Sequence, residues 1–293
     1  MQAEPSAPRS DAELTVVCVL FNSADVIEDC LRSLPPETPV VLVDNASADD
    51  GVARAIRARP DAHIVRSPSN RGFGAGCNLG WRAAATPYVA FLNPDARVHG
   101  DALQGLVACA CGEGAAMVGP RLLASDGSTR PCKVAPSVWL DVCGRLPAAA
   151  RWAPSGWDGK LDASDPVYRH GGRVSAVEGA CFVMARRDLE AIGGFDEDFF
   201  LYSEEESIAY RLRAIGGRAI YEPRAVVEHV GETATAKVRP LAIFHHQRSR
   251  VVFYRKRDGA LRGRLAGLAL AIAVALSTPS AIVNELLGRK RRS

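Results

Sequence analysis

Eight cysteines are present, yet there is no Cys-x-x-Cys pair and no Cys/His cluster at zinc spacing. They lie scattered at Cys18, Cys30, Cys77, Cys109, Cys111, Cys132, Cys143 and Cys181, several inside apolar runs. That pattern reads as buried free thiols in a reducing cytosol and disfavours a disulfide framework or a zinc module. Residues 1–12 are polar and hold no apolar segment, so no signal peptide is expected and the body of the chain is placed in the cytoplasm. A dinucleotide fingerprint is also missing. The glycine run from Gly72 to Gly80 reads Gly-x-Gly-x-Gly and follows a polar turn, which makes a hydride-transfer fold a poor reading. The formal net charge is only +3, and the basic residues gather in the tail without interleaved stacking aromatics, which disfavours nucleic-acid binding. No internal repeat or low-complexity segment stands out.

With 293 residues, 47% hydrophobic and 24% charged, the chain has enough material for a sizeable core, as one large domain or one domain with appendages. Its organising stretch is Tyr88-Val89-Ala90-Phe91-Leu92-Asn93-Pro94-Asp95. The apolar run lacks polar alternation, as expected of a strand covered on both faces, and Pro94 ends its pairing. Asp95 is thereby delivered to the carboxyl edge of a sheet, where open α/β folds bind ligands and a carboxylate can hold a divalent cation.

Further strands are expected at 14–21, 39–43, 63–65 and 115–120, at 174–184, and in pieces around Pro223. Helices are expected at 26–34 behind an Asn22-Ser23 turn and cap, near 52–58, from the glycine run to Ala85, and at 100–111, 186–192, 204–215 and 241–256. The alternation predicts right-handed crossovers and a parallel sheet. Residues 130–170 have no sustained period and read as a long excursion over that sheet. In the tail, Leu265 to Asn284 carries no charge but is flanked by basic residues on both sides. That argues against a span and leaves two readings, a helix at an anionic membrane surface or a packed C-terminal helix.

Carboxylates recur where strands end. Asp44 and Asp95 would share one sheet edge, with Asp44 suited to a nucleobase imide and Asn45 and Ser47 to a ribose or to the backbone; taken alone, Asp44 to Ser47 reads better as a helix-capping turn. The glycines Gly72 and Gly74 suit close backbone approach and a helix N-terminus facing an anion, and Asn70 and Asn78 would be turn or ligand amides. Glu204-Glu205-Glu206 opens a helix, which serves the helix dipole and also offers a general base of raised pKa. His229 could ligate a metal or be structural.

Taken together, the motifs are specific. Phe21-Asn22-Ser23, Val43-Asp44-Asn45-Ala46-Ser47, Asn70 to Gly80, Phe91 to Asp95, Gly119 to Leu122, Gly193 to Glu197, Tyr202 to Glu205 and Phe253 to Lys256 follow one another in order. Over residues 14–257 this resembles glycosyltransferase family 2, within it the bacterial rhamnosyltransferase-like branch. The resemblance implies an α/β GT-A fold, with a Rossmann-like, mostly parallel central sheet flanked by helices and a C-terminal helical tail. Residues 13–120 would form the nucleotide-sugar-binding half and 121–257 the acceptor-binding half, between a disordered 1–12 and a basic, apolar tail at 258–293. It implies an inverting displacement using Mg2+ or Mn2+.

Carried over residue by residue, Asp44 would read a uracil or thymine base. Phe21, Asn22, Asn45, Ser47, Asn70, Gly72, Gly74, Asn78 and Asn93 would line the donor site. Asp95, in an Asn93-Pro94-Asp95 variant of the family's Asp-x-Asp motif, and His229 would hold the metal. Glu204 and Glu205 match the family's Glu-Asp pair, with Glu205 the expected base despite its extra methylene and Glu204 its rival. Glu178 and Tyr202 would face the acceptor, and Arg71, Arg248 and Lys256 the diphosphate. The expected donor is dTDP-rhamnose, with UDP-hexoses open, and the acceptor a saccharide, free or polyprenyl-linked, at the inner face of the plasma membrane. Rivals from other classes are a donor-binding scaffold that has lost its base and a nucleotidyltransferase; the latter expects a glycine-rich phosphate loop where Phe21-Asn22-Ser23 stands.

Overall fold

The computed structural model describes residues 13–114, 116–143, 160–231 and 239–272. Strand β1 (Leu14–Leu20) leads through α1 (Ile27–Arg32) to β2 (Val40–Asp44), and α2 (Gly51–Ala58) leads to β3 (His63–Arg66). Helix α3 (Phe73–Ala83) precedes β4 (Tyr88–Leu92), which turns at Asn93 into β5 (Ala96–His99). Then come α4 (Ala102–Glu113), β6 (Met117–Leu123), α5 (Val138–Cys143), α6 (Val167–His170), β7 (Gly172–Val174), β8 (Cys181–Ala185) and α7 (Arg186–Ala191). The chain continues through α8 (Glu204–Ala214), β9 (Ala219–His229) and α9 (Arg239–Asp258) into a tail helix at residues 260–272.

The strands form one sheet in the order β3-β2-β1-β4-β8-β6-β9-β5, with β7 also paired to β9. The parallel arrangement expected from strand–helix alternation holds from β3 to β4. Beyond β4 the sheet is mixed, because β8 runs antiparallel to both β4 and β6, and β5 and β7 run antiparallel to β9.

Alternation along the buried strands builds two cores. Val16, Cys18, Leu20, Leu42, Ala90 and Leu92 face α1, α2 and α4. Val17, Val19, Val41, Val43, Val89 and Phe91 face α3, α7 and α8. Helix α3 lies close against the sheet because Gly76 and Gly80 have no Cβ: a methyl there would come within 2.6 Å of Val19 and 2.2 Å of Val17. A third cluster joins Phe199, Phe253, Tyr254, Ala266 and Leu270 and docks α9 and the tail helix onto the body.

Four expectations are corrected. The run expected as a strand over 174–184 is β7 and β8 separated by an irregular stretch at 175–180. The pieces around Pro223 are one strand, because the register jumps from Pro120↔Glu222 to Arg121↔Val226 and this bulge removes the proline from the ladder. Strand β5, unexpected after Asp95, exists because β9 supplies its partner. Asn22 and Ser23 do not cap α1, whose N-cap is Val26 and carries no side-chain cap. The residue runs 1–12 and 273–293 of the sequence expectations lie outside the described residues.

Candidate active site

The carboxyl ends of β1, β2 and β4 lie side by side because these strands are parallel neighbours. At the end of β2, Asp44 Oδ1 accepts the Ser47 N–H at 2.9 Å, and Oδ2 lies 3.9 Å from Arg66. The turn is local and does not cap α2, whose N-cap is Asp50 without a side-chain bond, and the second carboxylate oxygen faces the exposed Arg66. Asn22, in the left-handed region at φ 52°, accepts the Ala48 N–H through Oδ1 at 2.8 Å and donates its own N–H to Ser47 Oγ at 3.2 Å. These bonds tie the β1 and β2 loops together and leave Phe21 exposed on the rim.

Asn45 and Asn70 form a brace. Asn45 Nδ2 donates to Asn70 Oδ1 and to the Gly72 carbonyl, both at 3.0 Å, and Asn70 Oδ1 also accepts the Gly72 N–H at 2.9 Å. Gly72 (φ 97°) is thereby pressed onto the Phe200 backbone, and the Phe73 N–H donates to the Phe200 carbonyl at 2.9 Å. The start of α3 thus receives a protein carbonyl, and Gly74 packs beside Phe195 and Glu204. This corrects the expectation of an anion at the glycine run.

Asn78 is likewise corrected. Its Nδ2 donates to the Phe195 carbonyl and to Glu197, while Oδ1 accepts from Trp81 Nε1 and from the Phe195 N–H, each at 2.9 Å. Buried and engaged on both ends, it clamps the Gly193–Glu197 turn to α3 and has no capacity left for a ligand.

Asp95 and His229 do meet. Antiparallel pairing of β5 with β9 sets Ala96 opposite His229, and His229 Nε2 stands 3.2 Å from Asp95 Oδ1. Gly231 packs directly against the pair, and a Cβ there would lie 2.5 Å from His229 Nε2 and 3.1 Å from Asp95 Oδ2. Arg130 holds this end of β9 through the His229 and Gly231 carbonyls at 3.3 and 3.2 Å. Among the described residues no cluster of three or more His, Cys, Asp or Glu ligands occurs. One carboxylate and one imidazole beside a glycine without a Cβ fit Mg2+ or Mn2+, ions that take much of their coordination from substrate phosphates and water.

Because β8 runs antiparallel to β4, the segment entering β8 arrives at this same edge: the Asn93 N–H donates to the Ala180 carbonyl at 2.9 Å. Next to Ala180, Gly179 packs on the Glu205 carboxylate, 3.3 Å from where its Cβ would be, and Glu178 lies alongside. The three acids opening α8 are all buried. They follow Tyr202 and Ser203, two non-glycine residues with φ near 70°, a loop conformation that sets the helix start and leaves Tyr202 half-buried beside His246.

The acids diverge in environment. Glu206 is paired with Arg250 at 2.5 Å, and Arg250 also lies 3.3 Å from Asp141. Burial opposes ionisation of Glu206, yet Lys133 and Arg250 hold its carboxyl below the usual range. Glu204 turns toward α3, with Oε1 buried and unpartnered, and burial together with the Glu205 charge pushes it up to about 8. Glu205 receives the Lys133 ammonium on Oε1. Burial also raises Glu178, opposed by Lys133.

Two basic candidates are engaged elsewhere. Arg71 is paired with Glu197 at 2.5 Å, and Lys256 bridges Asp196 and Asp198 at 2.7 Å each. Arg248, exposed on α9, makes no ion pair among the described residues. Sequence reasoning missed Lys133, Arg130, Arg250 and Asp141, which come from the aperiodic stretch or the far side of α9 and carry no local signal. A groove of about 600 Å3 along α4 and β9 is lined by His99, Asp101, Glu222 and Arg224 among others, none of them a candidate.

The sequence model of glycosyl transferase family 2 matches residues 15–190. An N-acetylglucosaminyl-diphospho-decaprenol L-rhamnosyltransferase of Mycobacterium tuberculosis is 28% identical over 86% of this chain and 90% of its own length. A pre-mycofactocin glycosyltransferase from the same species is 32% identical over 77% of this chain and 44% of its own. Among solved structures, the mannosyltransferase PcManGT of Pyrobaculum calidifontis, in complex with GDP-Man and Mn2+, aligns with 96% of this chain and 81% of its own at TM-score 0.56 and 19% identity. S. aureus TarS 1-349 aligns with 75% of this chain and 60% of its own at TM-score 0.52 and 16% identity. These structural likenesses show the fold, which is GT-A.

Proposed function

The chain belongs to glycosyltransferase family 2, and we propose that it is an inverting, metal-dependent transferase moving rhamnose from dTDP-rhamnose onto a polyprenyl-linked saccharide in cell-envelope polysaccharide synthesis. The observation that carries this reading is the approach of Asp95 to His229 at the edge that also bears Asp44, with Glu205 reached across the Asn93–Ala180 contact. The donor and acceptor classes draw support from the name of the mycobacterial relative, and a UDP-hexose donor is the second reading.

In this mechanism Asp44 reads the pyrimidine, with Phe21, Asn22 and Ser47 around it, and Asn45, Asn70 and Gly72 hold the loop in shape. Asp95 and His229 would hold Mg2+ or Mn2+, which supplies charge neutralisation at the departing diphosphate. Arg248 is the basic candidate left to assist. Glu205 takes the acceptor hydroxyl proton as the oxygen attacks the anomeric carbon; the new C–O bond forms as the sugar–phosphate C–O bond breaks, and the electron pair leaves with the diphosphate. Glu178 and Tyr202 flank the acceptor side.

The test is transfer from a panel of nucleotide-sugars to a synthetic polyprenyl-diphosphate saccharide, with and without Mn2+ or Mg2+. Metal-dependent release of dTDP with a rhamnosylated product is expected. Donor binding without product in any combination supports the scaffold reading instead, and no binding of any donor overturns the transferase reading.

Contact with the inner membrane face belongs to the same proposal. No helix among the described residues is long and apolar enough to cross a membrane. The tail helix buries Ala266 and Leu270 on the body and leaves Leu261, Leu265, Leu268 and Ile272 more than half exposed beside Arg262 and Arg264. An apolar stripe with basic neighbours suits an anionic surface. Co-sedimentation with vesicles rich in phosphatidylglycerol, lost on Leu265→Asp with Leu268→Asp, is the expected result; equal recovery in the supernatant with and without vesicles refutes the contact.

A further inference from the structure

Glu205 sits among more acid than base. Glu204 and Glu206 precede and follow it on α8, and Glu178 faces it from the segment entering β8. The cations nearby are Lys133, on the aperiodic stretch, and Arg250 on α9; Arg250 is engaged with Glu206 and Asp141, and Arg130 is directed to the end of β9. Tyr202 borders the group from the loop before α8. Lys133 donates to Glu205.

The lysine is not a loosely held surface chain. Its backbone bridges both Lys160 and Ala176, and the preceding Cys132 is held by the Tyr168 hydroxyl and the Leu161 N–H at 2.8 Å each. About three-quarters of its side chain is buried. It thus reaches the acid cluster from a fixed strap, two residues along from which Ala176 leads to Glu178 and Gly179.

We propose that Lys133 is a positioning residue for Glu205, holding its carboxylate oriented toward the acceptor between three other carboxyl groups. Its role as a partner of the base rests on the transferase reading; its effect on the Glu205 carboxyl does not. The physical reason is charge. A neighbouring ammonium favours the ionised carboxylate, while adjacent carboxylates and burial favour the neutral acid. With Lys133 removed, Glu205 loses the ammonium that donates to it and is left among Glu178, Glu204 and Glu206. Burial works against the Lys133 ammonium too, but the carboxylates of Glu178, Glu205 and Glu206 keep it charged.

Two measurements test this. The first titrates the 13C-labelled glutamate carboxyls of the whole chain without substrate, with the Glu205 signal assigned by its loss in Glu205→Gln. Lys133→Met is expected to move the Glu205 midpoint upward, and Lys133→Arg to restore it. The second follows transfer against pH. The acid limb of kcat in Lys133→Met moves up with it, while KM for the donor stays within about twofold, since the Lys133 side chain bonds Glu205 and not Asp44, Asp95 or His229. An unchanged Glu205 midpoint in a folded Lys133→Met, checked by circular dichroism, overturns the inference. If Lys133→Met does not fold, Lys133→Gln takes its place with the same expected shift. A shifted midpoint in a chain that transfers no sugar leaves the pairing standing and removes the transferase reading instead.

Discussion

Asp95→Ala is expected to lower kcat/KM for sugar transfer roughly a hundredfold to a thousandfold, the size of effect seen when one electrostatic contact to a developing charge is removed. The fold should survive, because what Asp95 gives the structure is its backbone: its carbonyl accepts the Val230 N–H at 3.1 Å, and alanine keeps that bond. Its side chain, by contrast, stands beside His229 and against Gly231, where no second carboxylate is at hand among the described residues to replace it. Mn2+ should no longer stimulate either donor binding or turnover. His229→Ala is expected to do less, since a water molecule can take an imidazole's place in a coordination shell that already contains water. Transfer at the wild-type rate by a folded Asp95→Ala would remove the metal from the mechanism.

The second large effect is at Glu205. Glu205→Gln keeps the shape and removes the base, so kcat should fall by roughly two to four powers of ten with donor affinity within about twofold. The substitution leaves the Lys133 ammonium without its carboxylate, and some loss of stability accompanies it.

Glu204→Gln is the control that separates the two neighbours. Its carboxyl, pushed up to about 8 by burial and by the Glu205 charge, is neutral at pH 7, and glutamine imitates a neutral acid. Activity at pH 7 should change little. The sign of the stability effect follows from linkage: a carboxyl raised above its unfolded value favours the fold fully below the unfolded value, and that contribution is lost as pH rises toward 8. Glu204→Gln should therefore gain in melting temperature relative to wild type as pH rises from about 5 to 8. A collapse of kcat in Glu204→Gln together with a near-normal Glu205→Gln would exchange the roles of the two.

Residue order alone was enough for the central strand and its end. An apolar run followed by Asn93-Pro94-Asp95 has few physical solutions, because proline ends the ladder and the carboxylate must then lie at the sheet edge. The same holds for β1 and β2, for the helices from α1 to α4, and for the motif order that identifies the family, since each depends on neighbours a few positions away.

What tertiary structure decided is everything that depends on a partner distant in the chain. Asn78 reads as a ligand amide until Phe195 and Glu197, more than a hundred residues later, occupy it. Arg71 and Lys256 read as diphosphate cations until the acids of the 196–198 turn pair with them. Sequence makes Glu205 the expected base and leaves Glu204 its rival, and their directions from α8 differ, one toward α3 and the other toward Gly179 and Lys133. Lys133 itself lies in a stretch without period, where position in space is set by two isolated bridges and a tyrosine hydroxyl. Local chemistry is written in short-range pattern, whereas the ionisation and availability of a charged group depend on the groups that folding brings beside it.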